Sequence, residues 1–320
     1  MKKKILAMAL CAALLIAVMA GCAGSKSSSA AETSTQETAA PATTAPETTA
    51  PAAEETPEET AGFSGAITVV SREEGSGTRG AFVELMGVQT EDGDMTTEEA
   101  EIANSTSLVQ STVAGNEKAI GYISLGSYDA SAVKALSVDG VEASVDNVKA
   151  GSYAVFRPFV ICYKEENLTD LGRDFISFIM SADGQAILTE KGYIAVDESA
   201  AAYTASGLTG NLSLNGSTSV GPVMEKLAEA YMGINEGVTI DIQQTGSGTG
   251  ITSTIDGSCE IGMSSRNLKD EELAEGLTPV TIALDGIAVI VNQSNPLSGL
   301  ASEQIRQIFT GEVTDWSEVE

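Results

Sequence analysis

The sequence predicts a body of the α/β class, in which short apolar strands alternate with amphipathic helices. The apolar runs are only a few residues long, and glycines cluster where several of them give way to a helical pattern. The chain from Phe63 onwards is also long enough to form two lobes of ordinary size. The predicted strands are 67–70, 120–125, 159–163, 212–214, 238–242 and 282–291, and the predicted helices are 79–86, 171–180, 223–232 and 302–309.

The first residues have the pattern of a secretion signal. Lysines at 2–4 precede an uncharged apolar run, 5–19, that is too short to remain as a membrane-spanning helix. Small residues then stand directly before Cys22, as in the bacterial lipobox, where the cysteine is lipidated and becomes the mature N-terminus. We therefore expect a signal peptide over 1–21 and a lipid on Cys22. The alternative is an ordinary signal peptide with an incidental cysteine.

The segment 22–62 is rich in Ala, Thr, Ser, Glu and Pro, and it contains no aromatic residue. Such a composition buries too little apolar surface to offset the entropy lost on ordering. We expect a disordered tether that holds the body at the outer face of a membrane.

Charge and histidine content exclude several kinds of function. The formal net charge is −28, which disfavours nucleic acid as a partner, and the chain has no histidine. Triads that need histidine, and most zinc sites, are therefore excluded. Cys162 and Cys259 have no metal-ligand spacing and lie in apolar runs, so we expect buried core thiols. An exported protein could instead oxidise them to a disulfide. No cofactor and no metal are predicted.

Three glycine-rich turns follow predicted strands, at 71–79, 215–220 and 245–250, and a hydroxyl pair with an arginine follows at 264–266. The N-terminus of a helix presents unpaired N–H groups and a positive dipole end, and Ser or Thr adds a hydroxyl donor. One such turn alone is often only a helix cap. Several together, with Arg72, favour a site for a tetrahedral oxyanion. A P-loop is disfavoured because no Gly-Lys-Ser/Thr follows any of the turns.

Taken together, these strings resemble the phosphate-binding proteins of the phosphate-specific ABC uptake system. The resemblance covers nearly all of 63–320. The matching pieces are 70–78, 119–124, 183–185, 214–222, 246–250, 261–266, 284–292 and 308–316.

The resemblance implies a two-lobe, periplasmic-binding-protein-like (type II) fold with the ligand between the lobes. One lobe would combine 63–152 with 282–320, the other would be 153–281, and the hinge would lie near 152–156 and 281–286. It further implies a non-enzymatic, monomeric receptor that passes phosphate to the permease of an ABC importer. The family's phosphate contacts fall on Arg72, Ser76, Gly77, Thr78, Thr218, Ser219 and Ser247, and also on Ser265.

Ser265 stands where the family often has an aspartate that accepts the proton of hydrogen phosphate. A receptor for sulfate, molybdate or tungstate therefore stays open, as do, more remotely, a phosphate-ester hydrolase and a structural surface protein. We further expect Glu74 to pair with Arg72. Arg266 could be a second cation of the site or a surface residue.

The order of the matching segments differs from the family's usual order. There the Gly-Ser-Thr-Ser segment comes first, and the segment with Arg72 follows the Asp-Trp segment that ends here at Trp316. We expect a circular permutation, joined through about 195–210, and in that case the ends of the body should lie close together. A truncated chain is the competing explanation.

Overall fold

The computed structural model of the protein describes residues 63–319, so the predicted signal peptide, Cys22 and the tether lie outside the described residues. Its strands are β1 (Thr68–Arg72), β2 (Gln89–Thr90), β3 (Gly93–Asp94), β4 (Glu101–Ala103), β5 (Ala119–Ser124), β6 (Val133–Ala135), β7 (Ser137–Val138), β8 (Phe156–Lys164), β9 (Ile194–Ala195), β10 (Gly210–Gly216), β11 (Val238–Gln244), β12 (Ile261–Ser264), β13 (Leu277–Asn292) and β14 (Gly299–Leu300). Its helices are α1 (Gly77–Leu85), α2 (Thr106–Gly115), α3 (Val145–Lys149), α4 (Asp170–Met180), α5 (Ala182–Glu190), α6 (Gly221–Ile234), α7 (Ser247–Ile255), α8 (Asp270–Ala274) and α9 (Ser302–Phe309).

The long strand β13 joins the two halves of one mixed sheet, whose strands run in the order β11-β10-β12-β8-β13-β5-β1-β4. The first part of β13 pairs with β8, from Leu277 to Gly286, and the last part pairs with β5, from Ile287 to Val291. Both pairings are antiparallel, whereas β10 is parallel to β11 and β12, and β1 is parallel to β5 and β4. Helices follow the parallel strands, which confirms the predicted α/β class.

The local sequence explains why the principal helices begin where they do. Thr169 caps α4 by accepting from the backbone N–H of Gly172 at 3.1 Å, and the apolar face of α4 is buried through Phe175 and Phe178. Pro222 lies in the first turn of α6, where its missing N–H costs no intrahelical bond. These helices extend one or two residues beyond the predicted ranges.

The apolar side chains form two large clusters, and these define the two lobes. The first lobe is built around buried residues within 69–155 and 287–316. The second lobe is built around buried residues within 159–283. The chain passes between the clusters twice, at 155–159 and at 283–287. A two-lobe fold was expected from the sequence, and the structure has it.

The two ends of the described body are paired with each other. Ile67 donates its backbone N–H to the carbonyl of Thr314 at 2.8 Å, and Trp316 donates to Gly65 at 3.0 Å. The ring of Phe63 packs against the indole of Trp316, with centroids 5.8 Å apart. Within 63–319 we find no helix of the length and apolarity needed to cross a membrane.

Candidate oxyanion-binding cleft

The N-termini of four helices converge where the two lobes meet. Helices α1 and α2 follow β1 and β4 in the first lobe, and helices α6 and α7 follow β10 and β11 in the second lobe. Because strands that run parallel end at the same edge of a sheet, their following helices begin side by side. The first turns therefore bring N–H groups and positive dipole ends to one place.

Arg72 is the cation of this cleft and is almost completely buried, with 2% of its surface exposed. Its Nη2 donates to Thr218 Oγ1 of the opposite lobe at 3.0 Å, and its Nε donates to the carbonyl of Ala103 at 3.1 Å. Its Nε and Nη2 also donate to both carboxylate oxygens of Glu73, each at 2.8 Å. This bidentate pair fixes the plane of the guanidinium.

The sequence predicted that Arg72 pairs with Glu74, and this prediction is wrong: its partner is Glu73. The carboxylate of Glu73 lies in line with Nε and Nη2 of Arg72, whereas Glu74 is exposed and lines a groove at the mouth of the cleft together with Gly75 and Gly248. Two acidic residues in succession point in different directions. Here the turn directs the first one back toward the arginine.

Hydroxyl groups from both lobes meet beside Arg72. Thr78 Oγ1 lies 2.9 Å from Ser219 Oγ, and Ser219 Oγ lies 3.0 Å from Thr106 Oγ1. Thr106 Oγ1 also lies 3.4 Å from Thr218 Oγ1. All four side chains are buried. The cleft is thus lined with groups that can donate to an oxyanion or accept from it.

Ser247 and Ser265 face Gly77 across the cleft. Ser247 Oγ accepts from the backbone N–H of Ser265 at 3.2 Å and lies 3.4 Å from Ser265 Oγ. A Cβ atom on Gly77 would lie 2.4 Å from Ser247 Oγ, 2.7 Å from Ser265 Oγ and 3.1 Å from Ser247 Cβ. Because no real Cβ tolerates the first of these separations, the lobes approach this closely only with glycine at position 77.

The remaining predicted site residue, Ser76, caps its own helix. Its Oγ accepts from the backbone N–H of Arg79 at 3.3 Å, and its side chain is buried. Directly before Ser76, the carbonyl of Gly75 accepts from the backbone N–H of Gly248 at 2.9 Å, which links the lobes at the mouth of the cleft.

The structure thus brings together all eight residues that the sequence singled out as phosphate contacts. Thr106 joins them and was not predicted from the sequence, because α2 was not predicted and no glycine-rich turn precedes it. Arg266 lies apart from the hydroxyl groups: its guanidinium pairs with Glu272 at 2.7 Å, and its side chain packs against Gly80 of α1.

Comparisons with known proteins decide the family. The model of the PBP superfamily domain, which describes periplasmic-binding-protein-like domains, matches residues 33–183 and 200–320. The chain is 47% identical over 267 residues to "Phosphate-binding protein PstS 2" of Streptococcus agalactiae serotype V, covering 82% of this chain and 90% of the relative. It is 50% identical over 260 residues to the protein of the same name in Streptococcus pneumoniae serotype 4, covering 80% and 88%.

The chain belongs to the PBP superfamily. Among solved structures, the protein is similar to a phosphate-binding protein of a phosphate ABC transporter from Streptococcus pneumoniae TIGR4. The two are 49% identical with a TM-score of 0.65, over 80% of this chain and 100% of that one. The cleft between the lobes is therefore the candidate ligand site of this PBP-superfamily protein.

A buried ion pair lies at the junction of the lobes in this PBP-superfamily protein. Arg157 of β8 stands opposite Asp285 of β13, with Nη2 and Oδ2 3.1 Å apart and at most 1% of either side chain exposed. Asp285 also accepts from Ser124 Oγ at 2.9 Å, while Arg157 Nη1 has no hydrogen-bond partner. Burial raises the pKa of Asp285, and the charge of Arg157 opposes that shift.

The two cysteines are free and buried, as the sequence predicted. Cys259 Sγ lies 3.4 Å from Thr254 Oγ1, and burial raises the pKa of Cys162 to about 12. Burial also raises the pKa of Cys259, so both sites favour the protonated thiol, which is the less nucleophilic form. Across 63–319, no group of His, Cys, Asp and Glu side chains is arranged to hold a metal ion.

Proposed function

We propose that this protein is an extracytoplasmic receptor that captures inorganic phosphate between its two lobes and delivers it to the membrane permease of an ABC importer. One observation carries the proposal: a buried arginine, the N-termini of four helices and hydroxyl groups of both lobes converge on one cleft. Such a set of donors is complementary to the oxygens of a tetrahedral anion. The similarity to proteins named phosphate-binding protein supports phosphate as the ligand.

In this proposal the anion is held by Arg72 and by the first turns of α1, α6 and α7. The contacts would come from Arg72, Ser76, Gly77 and Thr78 of one lobe and from Thr218, Ser219, Ser247 and Ser265 of the other. The lobes would be 63–152 with 282–320, and 153–281; the two apolar clusters divide a few residues later along the chain, with Tyr153 and Val155 in the first and Ile282 and Ala283 in the second. Residues near 152–156 and 281–286 would form the hinge, and the receptor would act as a monomer without a cofactor and without catalysis.

The location follows from the sequence of the first residues. A lipid on Cys22 and the tether 22–62 would hold the receptor at the outer face of the bacterial cytoplasmic membrane. Both features lie outside the described residues, so they rest on the pattern of the sequence alone.

Another tetrahedral oxyanion, such as sulfate, molybdate or tungstate, is the second candidate ligand. Ser265 favours it, because a buried, uncharged hydroxyl stands where the resemblance leads us to expect an aspartate. A carboxylate would repel a fully ionised anion, whereas a hydroxyl donates to it. Selectivity for phosphate must then depend on hydrogen-bond geometry.

Calorimetry with phosphate, sulfate, molybdate and arsenate tests the function. We expect phosphate to bind and Arg72→Ala to weaken it by on the order of 100-fold or more, because two charge-assisted hydrogen bonds are lost. Arg173→Ala is the matched control, since Arg173 pairs on the surface with Glu165 at 2.7 Å. An unchanged affinity in Arg72→Ala, or no heat with any of these anions, would refute the proposal.

We also infer that the body is a circular permutant. The pairing of Gly65 and Ile67 with Thr314 and Trp316 supports this, because ends that lie together can be joined without disturbing the fold. A rearranged chain that carries 210–319 first and 63–200 second, joined by a short linker, should fold and bind phosphate like the original. A rearranged chain that fails to fold would contradict the inference.

A further inference from the structure

Thr106 brings a hydroxyl to the cleft from a segment outside all the motifs of the sequence. It is the first residue of α2 and is 5% exposed. Its Oγ1 lies 3.0 Å from Ser219 Oγ and 3.4 Å from Thr218 Oγ1, both in the opposite lobe. The capping of α2 does not need this hydroxyl, because Ser105 accepts from the backbone N–H of Leu108 at 3.2 Å.

A protonated phosphate in this cleft needs acceptors as well as donors. The guanidinium of Arg72 and the N–H groups of the helices can only donate. The carboxylate nearest to the arginine, that of Glu73, is engaged by Arg72 through both oxygens at 2.8 Å. A buried P–OH group without an acceptor would lose a hydrogen bond that water supplied. Hydroxyl groups must therefore accept this proton.

Thr78, Ser219 and Thr106 form a row of hydroxyls, 2.9 Å and 3.0 Å apart, in which either atom of each pair can donate. A row of hydroxyls bonded in one direction leaves a free hydrogen at one end and a free lone pair at the other. Rotating the hydroxyls reverses the direction and exchanges the two ends. The same row can thus present either a donor or an acceptor to an anion.

We propose that Thr106 is a specificity-determining residue of the cleft, whose hydroxyl completes this row and lets the site accept the proton of phosphate. The site then binds both the singly and the doubly protonated forms. This inference rests on the proposed function, since it assumes that the anion is phosphate. In this proposal the hydroxyl of Thr106 helps to accept the proton of phosphate. The carboxylate of Glu73 is not available for this, because Arg72 engages both of its oxygens.

The test is calorimetry of inorganic phosphate with the full chain and three variants, at about pH 5.5 and about pH 8, on either side of the second ionisation of phosphate. Thr106→Val keeps the shape of the side chain and removes the hydroxyl, and Thr106→Ser keeps the hydroxyl. Thr112→Val, on the same helix but partly exposed, is the matched control. We expect Thr106→Val to weaken phosphate by about tenfold at the lower pH and by less at the higher pH. Thr106→Ser and Thr112→Val should stay close to the wild type.

An affinity of Thr106→Val that equals the wild type at both pH values would overturn the inference. An equal loss at both pH values would also overturn it, since the hydroxyl would then not respond to the additional proton that phosphate carries at the lower pH. The melting temperature without phosphate reports whether each variant folds, and Thr106→Ala replaces Thr106→Val if the latter does not. If the wild type binds no phosphate, the proposed function is overturned as well. If the wild type binds phosphate and Thr106→Val binds it equally well, this inference alone is overturned.

Discussion

Replacing Gly77 with alanine should separate folding from binding. Gly77 opens α1 in the first lobe, and Ser247 and Ser265 face it from the second lobe. The added Cβ would lie 2.4 Å from Ser247 Oγ and 2.7 Å from Ser265 Oγ, whereas ordinary contact begins near 3.4 Å. Rotation of the two hydroxyls lessens the conflict but does not remove it, because Ser247 Cβ would still lie at 3.1 Å. With both hydroxyls in place, the lobes must therefore separate by about 1 Å at this point.

A separation of this size is sufficient to break the hydrogen bonds across the cleft. The bonds between Thr78 and Ser219 at 2.9 Å and between Arg72 and Thr218 at 3.0 Å would lengthen beyond 3.5 Å. The same side chains would hydrogen-bond to the anion, so its contacts with the two lobes would lengthen as well. With about 1 kcal/mol for the neutral bond and about 2 kcal/mol for the charged one, we expect a loss of affinity on the order of 100-fold.

The ligand-free protein should lose only the bonds across the cleft and should still fold, because Gly77 belongs to neither apolar cluster. Gly77 does not need a left-handed backbone, and alanine is favoured over glycine within a helix. Calorimetry with phosphate and thermal melting without it are the two measurements. Gly233→Ala is the control, because a Cβ at Gly233 in α6 would meet nothing within 4 Å. If Gly77→Ala binds phosphate within about threefold of the wild type, the steric argument is wrong.

Two further predictions concern the buried groups outside the cleft. Asp285→Ala should lower the free energy of unfolding by about 3 kcal/mol in urea titrations, because it leaves Arg157 buried without its partner. Glu165→Ala is the control, since it breaks a surface pair and should change the free energy of unfolding little. Equal losses in the two variants would contradict the stabilising role of the buried pair. Cys162 and Cys259 should stay unlabelled by a thiol reagent in the native protein and react once urea unfolds it, with the exposed Ser177→Cys as the positive control. A native protein that shows a disulfide by mass would refute the second prediction.

The elements that the sequence predicted well are those with a strong apolar pattern. Helix α4 was expected at 171–180 and begins at Asp170, because an amphipathic face and the cap at Thr169 act together. Strand β13 was expected only at 282–291. Its earlier part, from Leu277, contains Pro279 and is half exposed, so only its pairing with β8 makes it a strand.

Helix α2 was missed because its own residues carry a weak helical signal. Its buried positions, Thr106, Val109 and Val113, are β-branched, and this lowers helix propensity. Missing α2 left the predicted fold class unchanged, but it left Thr106 out of the predicted site, since Thr106 is the first residue of this helix. Similarly, the sequence could identify a carboxylate partner for Arg72 but could not choose between Glu73 and Glu74, because their directions depend on the geometry of the turn.

Buried hydrogen-bond donors, rather than net charge, explain how a strongly acidic chain can hold an anion. With a formal net charge of −28, the protein repels anions at long range. At the cleft, however, the charge of Arg72 is balanced by Glu73, so the site itself is close to neutral. Attraction must then come from N–H and O–H dipoles that are buried and already oriented. Such dipoles act over short distances and depend on geometry more than on total charge. The cleft should therefore select among oxyanions by size and by the position of protons, and the buried hydroxyls, including Ser265 and Thr106, determine both.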